Sequence, residues 1–153
     1  ADLRARASSL LRAAALTGDA LTSATAAVTK MLRACAADPV CQWILAAHPD
    51  AQSEASWSGY LPEESETTRF RTLRADRVFR GGPAPLAEGS DFFWIIDYKT
   101  SPGPSGALFL AQERARYAPQ LEAYGQVLRA LHGQEILMRL GLYYPALGVL
   151  DWW

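Results

Sequence analysis

Phe92-Phe93-Trp94-Ile95-Ile96-Asp97-Tyr98-Lys99-Thr100 is the stretch that decides the fold. Its first five residues are apolar without alternation, the pattern of a central strand covered on both faces. Successive strand side chains point to opposite faces, so Asp97 and Lys99 share one face while Ile96 and Tyr98 take the other. A carboxylate and an ammonium therefore emerge together at the end of an apolar strand. Burying a charge is costly unless it is paired or binds a metal. Taken alone, the pair reads either as an internal ion pair closing the strand or as one arm of a site.

Upstream, residues 68–80 read as a long strand, closed by the turn chemistry of Gly81-Gly82-Pro83. Residues 53–60 alternate weakly, with Ala55, Trp57 and Gly59 opposite Glu54, Ser56 and Ser58, and read as another strand. The first third is helical. Leu3, Leu10, Leu11 and Ala14 recur at helical spacing, and a second helix over roughly 22–37 carries Ala24, Val28, Met31, Leu32 and Cys35 on one face. Asp38-Pro39 has the form of an N-cap followed by a first-turn proline, opening a short helix through Leu45. Downstream of the polar Ser101–Gly106 loop lies a helical stretch. Because the residue before a proline disfavours α geometry, Pro119 predicts a fresh helix start near Ala118, ending at His132-Gly133. Residues 135–143 and 147–153 read as two more strands around Tyr144-Pro145. The order ααα-β-β-β-α-β-β predicts an α/β domain with a mixed sheet.

A chain of 153 residues, half apolar and 20% charged, is one domain's worth, with a helical part over 1–50 and an αβ core over 51–153. No apolar run is long enough to cross a bilayer. Two cysteines, Cys35 and Cys41, suit neither a disulfide-stapled miniprotein nor a four-cysteine zinc or iron–sulfur site, so a reduced, cytoplasmic setting is expected. The net charge of -1 argues against holding nucleic acid by bulk electrostatics alone. The charge is unevenly placed, however. Arg69, Arg71, Arg74, Arg77 and Arg80 follow an acidic stretch containing Glu63, Glu64 and Glu66. That strip reads equally as a solvated edge strand or as a phosphate-facing surface.

Asp76 changes the reading of Asp97 and Lys99. If residues 68–80 and 91–100 pair as an antiparallel hairpin, Asp76 lies beside Asp97. Two converging carboxylates repel and raise each other's pKa, which makes a poor stability device. They suit a hard divalent cation such as Mg²⁺, which takes oxygen ligands and keeps several waters. Such a cation polarises a phosphodiester and acidifies a bound water, and a lysine alongside orients that water or stabilises charge in the transition state.

These residues resemble the PD-(D/E)XK nuclease motif, in the RecB-type branch that ends bacterial UvrD/RecB/AddA-like helicase–nucleases of the exonuclease V β-subunit kind. Asp76 precedes Asp97 by 21 residues across the expected hairpin. Trp94-Ile95-Ile96-Asp97-Tyr98-Lys99-Thr100-Ser101 is close to that branch's "W-I-I-D-Y-K-T-S" form, and Tyr117 to Tyr124 looks like its "Y-x-x-Q-L-x-x-Y" helix. The segment from Ala46 to Glu54 is similar to the lead into its first core strand. The resemblance covers roughly residues 40–153.

It implies a restriction-endonuclease-like fold and a nuclease domain of a larger helicase–nuclease acting in DNA break repair and recombination. It further implies Mg²⁺ or Mn²⁺ as cofactor, with Asp76 and Asp97 as metal ligands and Lys99 and Gln120 as the other catalytic residues. Glu54, Tyr117 and Tyr124 are supporting candidates, and Arg74, Arg77 and Thr100 are candidate contacts to DNA phosphates. DNA delivered by the parent helicase, the helicase domains themselves and a second subunit are the implied partners. On the helical face Tyr117, Gln120, Leu121, Tyr124, Leu128 and Leu131, the polar groups stand where the apolar stripe meets the sheet, and a helix start there places N–H groups beside phosphate. His48 and His132 are weaker candidates, His132 suiting a helix C-terminus. The upstream "G-x-x-x-H" helix of the branch has no counterpart before residue 48, and neither a G-x-x-x-x-G-K-[ST] loop nor an iron–sulfur cysteine set is present. Either the chain, which starts at Ala1, is a piece beginning downstream of that histidine, or the site is incomplete. The rival readings are an inactive nuclease-like module that guides DNA or docks a protein, and a standalone restriction-like endonuclease.

Overall fold

The computed structural model describes residues 2–62, 68–100 and 106–153, with the backbone alone at 60–62, 68, 69 and 71. Helix α1 (Leu3–Ala13) is capped by the Asp2 carboxylate, which accepts the Arg4 N–H at 3.0 Å. Helix α2 (Gly18–Ala37) begins earlier than its apolar periodicity predicts and packs against α1. As the sequence predicts, Asp38 caps α3 (Pro39–Leu45) by accepting the Val40 N–H at 3.0 Å. Pro39 sits in the first turn, where a missing N–H costs no helical hydrogen bond. The same carboxylate also accepts the Tyr143 hydroxyl, which ties the short helix to the sheet.

The strands are β1 (Gln52–Pro62), β2 (Thr68–Gly81), β3 (Phe92–Tyr98), β4 (Leu137–Tyr144) and β5 (Val149–Trp152), with α4 (Ala107–His132) between β3 and β4. They form one mixed sheet in the order β1-β2-β3-β4-β5. Every neighbouring pair is antiparallel except β3–β4, which is parallel because α4 carries the chain back across the sheet. The α/β architecture, the N-terminal helical segment and the flanking helices are those expected. β3 is the central strand, and all its residues from Phe93 to Asp97 are buried.

Each face of the sheet carries its own apolar layer. On one, α4 lays Leu121, Tyr124 and Leu128 over Val78, Phe93, Ile95, Leu140 and Leu142. On the other, α3 brings Cys41 and Ile44 onto Phe79, Trp94, Ile96 and Tyr143. A side chain of this size stabilises the fold by about 1.5–3 kcal/mol when fully buried. Gly141 is needed where the layers close in, since a Cβ there would stand 2.9 Å from Ile96 Cδ1.

Two expectations for α4 are corrected. The helix runs unbroken through Pro119, so its N-terminus lies at Ala107 and no helix start faces the Gln120 region. Pro119 and Ala115, whose carbonyl loses its helical partner to the proline, are both exposed, so water replaces the missing bond. The apolar stripe also stops short of Leu131, which is 57% exposed. The Glu63, Glu64 and Glu66 stretch, Ser101 and the side chains of Arg69 and Arg71 lie outside the described residues. Among the described residues, no helix is long and apolar enough to cross a membrane.

Candidate active site

The β2–β3 ladder runs from Gly81↔Phe92 to Arg77↔Ile96. One step beyond, the register sets Asp76 opposite Asp97, and regular pairing ends. In place of a backbone carbonyl, Asp76 Oδ2 accepts the Tyr98 N–H at 2.8 Å. The distortion continues into β1. Glu54, which the β1–β2 register sets opposite Asp76, has φ of +55°, a left-handed backbone that strains any non-glycine residue. Alternation slips at the same place, because Ala75 and Val78 both reach the layer under α4. Regular pairing is thus interrupted where the register brings the two aspartates opposite each other.

Asp97 is 5% exposed and points to the α4 side together with Phe93 and Ile95. The Lys99 ammonium lies 2.5 Å from its Oδ2. That oxygen nevertheless accepts no hydrogen bond of regular geometry among the described residues, so the contact is ionic. Burial pushes the Asp97 carboxyl above its ordinary pKa, Lys99 pulls it back down, and the Asp76 charge adds an upward push. The ion pair therefore exists, and a second carboxylate, Asp76, stands across the hairpin from it.

Helix α4 closes the site from above. The Lys99 ammonium sits 3.8 Å from the centroid of the Tyr117 ring, a cation–π contact. One turn on, the Gln120 amide donates to the Tyr124 hydroxyl. Burial raises the Tyr124 pKa, the Gln120 bond lowers it, and Asp97 and Asp76 raise it again. The helix thus brings Tyr117, Gln120 and Tyr124 to the end of β3, as their spacing predicts.

Other candidates are placed elsewhere. Glu54 pairs with Arg74, both exposed. Arg77 donates to the Ile44 and Ala46 carbonyls at 3.1 and 2.8 Å, which fastens the end of α3 to the sheet. Arg80 pairs with Asp50 at 3.4 Å. Thr100 is exposed just past β3. His48 stacks on Phe79 at 4.3 Å with Nε2 2.6 Å from the Trp43 carbonyl, a packing role away from the aspartates. His132 stacks on Phe93 at the end of α4.

The sequence reading missed one acid. Glu113 is 8% exposed, and its Oε2 is buried without a hydrogen-bond partner among the described residues. It lies one turn before Tyr117, on the same side of α4. The neighbouring Tyr144 hydroxyl is likewise buried and unpartnered, and burial followed by the Glu113 charge pushes its pKa up to about 12. The i, i+4 spacing from Glu113 to Tyr117 was the available signal.

The donor set is of the kind a hard cation that keeps most of its waters takes: the Asp97 carboxylate, whose Oδ2 now faces Lys99, and Asp76 across the hairpin. Among the described residues, no group of three or more His, Cys, Asp and Glu side chains is placed to hold a metal ion, so protein ligands would number two. In comparisons with known proteins, no family model matches the chain, and no curated protein matches it significantly.

Proposed function

We propose that this chain is a metal-dependent nuclease domain that hydrolyses DNA phosphodiesters with Mg²⁺ or Mn²⁺. The observation that carries the reading is the register that sets Asp76 opposite Asp97 where the strand ladder ends, with the Lys99 ammonium 2.5 Å from Asp97. A structural ion pair alone gives no reason to set a second carboxylate beside a buried one, since that raises the cost of ionising it.

Asp97 and Asp76 are the residues that would hold the cation, Asp97 through a carboxylate whose Oδ2 faces the Lys99 ammonium and Asp76 with the oxygen not given to Tyr98. When bound, the cation would supply Lewis-acid polarisation of the phosphodiester and a more acidic water. Lys99 then has two tasks: orienting the attacking water and countering the negative charge that builds on phosphorus. Tyr117 limits where the ammonium can swing, and Gln120 with Tyr124 presents polar groups along the helix edge of the same site. A setting as the cytoplasmic nuclease portion of a helicase–nuclease in break repair is part of the same proposal, and it agrees with a net charge too small for tight autonomous DNA binding.

Calorimetric Mn²⁺ titration alongside cleavage of a labelled oligonucleotide tests the reading. Asp97→Ala and Asp76→Ala are each expected to abolish Mn²⁺ uptake and to reduce cleavage by at least about a thousandfold, the scale of losing a metal site's electrostatic stabilisation. Negligible uptake and no cleavage by the unaltered chain would instead favour the inert DNA-guiding or docking module.

A further inference from the structure

Tyr117 is approached by a second cation. The Arg116 guanidinium carbon lies 5.2 Å from the centroid of the ring that Lys99 contacts at 3.8 Å. Arg116 is exposed, and no carboxylate or carbonyl engages it among the described residues. Within one turn its own helix offers no exposed acid: the i±4 positions are Gln112 and Gln120, Pro119 stands at i+3, and Glu113 at i−3 is buried. The helix has therefore left a positive charge without a partner at the rim of the candidate site.

The other arginines near the sheet are engaged. Arg74 is held by Glu54, Arg77 by the carbonyls of α3, Arg80 by Asp50, Arg114 by Asp151 and Arg139 by the Pro83 carbonyl. The strand β2 that looked like a phosphate-facing strip spends its described guanidinia on the fold itself. Among described residues bordering Tyr117, a guanidinium with all its N–H donors free remains only at Arg116.

We infer that Arg116 is the substrate-anchoring residue of this site, gripping a backbone phosphate of a single nucleic-acid strand next to the phosphodiester that Lys99 addresses. The inference rests on the nuclease reading. A guanidinium can grip two phosphate oxygens at once, and its stacking on Tyr117 limits the freedom it must give up on binding. Lys99 is neutralised by Asp97 and is committed to chemistry, so attraction of the strand falls to the unpaired charge beside it.

Steady-state cleavage of a labelled single-stranded oligonucleotide with Mn²⁺, and its binding with Ca²⁺ in place of Mn²⁺ across a salt series, test this with Arg116→Gln, Arg116→Lys and Arg129→Gln. Arg129 is a control on the stretch of α4 bordering Gly125 and Met138. Arg116→Gln is expected to raise KM about five- to tenfold with kcat changed less than about twofold, one charge-assisted contact at an exposed position. It should also flatten the slope of log K against log salt by about 0.7, one phosphate's share on a single strand. Arg116→Lys should restore the slope and only part of KM, and Arg129→Gln should match the unaltered chain. An unaltered KM and slope in Arg116→Gln, with cleavage intact, overturns the anchor alone. So does a fall in kcat at constant KM, which would make Arg116 a support for Tyr117. An unaltered chain that neither cleaves nor binds the oligonucleotide overturns the nuclease reading and the anchor with it.

Discussion

On the face of β3 that meets α3, Trp94, Ile96 and Tyr98 continue one aromatic and aliphatic layer to the end of the strand. On the face that meets α4, Phe93 and Ile95 give way to Asp97 and Lys99. On the first face Trp94 Nε1 donates to the Gly82 carbonyl at 2.9 Å and its ring meets Trp43 edge-on at 5.0 Å, while the Tyr98 hydroxyl is buried without a hydrogen-bond partner among the described residues. The second retains a carboxylate that burial drives towards its neutral form and a lysine that opposes the drive. A strand that alternates every residue can therefore place a stability layer and a chemical site 180° apart within the same few residues.

The sharpest way to separate the faces is to damage the structural one. Trp94→Ala should cost about 3–5 kcal/mol of unfolding free energy in a denaturant titration, the usual loss for a fully buried large aromatic residue. A loss below about 1 kcal/mol would mean that the aromatic layer is not what holds β3.

The opposite test touches the chemical face. Lys99→Met should lower cleavage about 100- to 1000-fold at neutral pH. It should also move the pH at which Mn²⁺ binding is half lost upward, because Lys99 is the group that holds the Asp97 pKa down. Calorimetry over a pH series reads both ends of that shift, and a downward movement would contradict the ion pair's role.

Asp97→Asn is expected to stabilise the fold by about 0.5–2 kcal/mol at pH 7, the usual gain when a strained functional residue is relieved. The sign follows from linkage. A carboxyl whose folded pKa is raised above its ordinary 3.8 binds protons better when folded, so the ionised acid costs stability above that pH and nothing below it. The gain in melting temperature should accordingly fade as the pH falls towards 3.8 and be absent below it. A lower melting temperature at pH 7 would show that Lys99 outweighs burial.

The smallest effect belongs to the strained backbone at Glu54. Glu54→Gly and Glu54→Ala both lose the exposed Arg74 contact, but only alanine keeps a side chain at φ of +55°. Glycine should therefore be the more stable of the two by about 1 kcal/mol. Equal melting curves would place the strain elsewhere.

Much of this was legible in the residues. The unalternating run at 92–96 marked β3 as central, the Asp38-Pro39 pair marked the start of α3, and the i, i+3/i+4 spacing put Tyr117, Gln120 and Tyr124 on one face. The break assumed at Pro119 was wrong because the freed Ala115 carbonyl lies on the exposed side and the long buried face of the helix outweighs the proline's local cost. Glu113 escaped notice because a glutamate between a glutamine and an arginine reads as surface until the helix direction is known. The slip at Asp76 was invisible too, since a period-two reading presumes a regular strand.

Local pattern fixed the elements, their order and the shared face of Asp97 and Lys99, because alternation and helical spacing are properties of neighbours along the chain. Which arginines are free, which carboxylate is buried and which ring covers the lysine were decided only by the packed structure. Those depend on what stands opposite each side chain in space, and on how much water remains to solvate its charge.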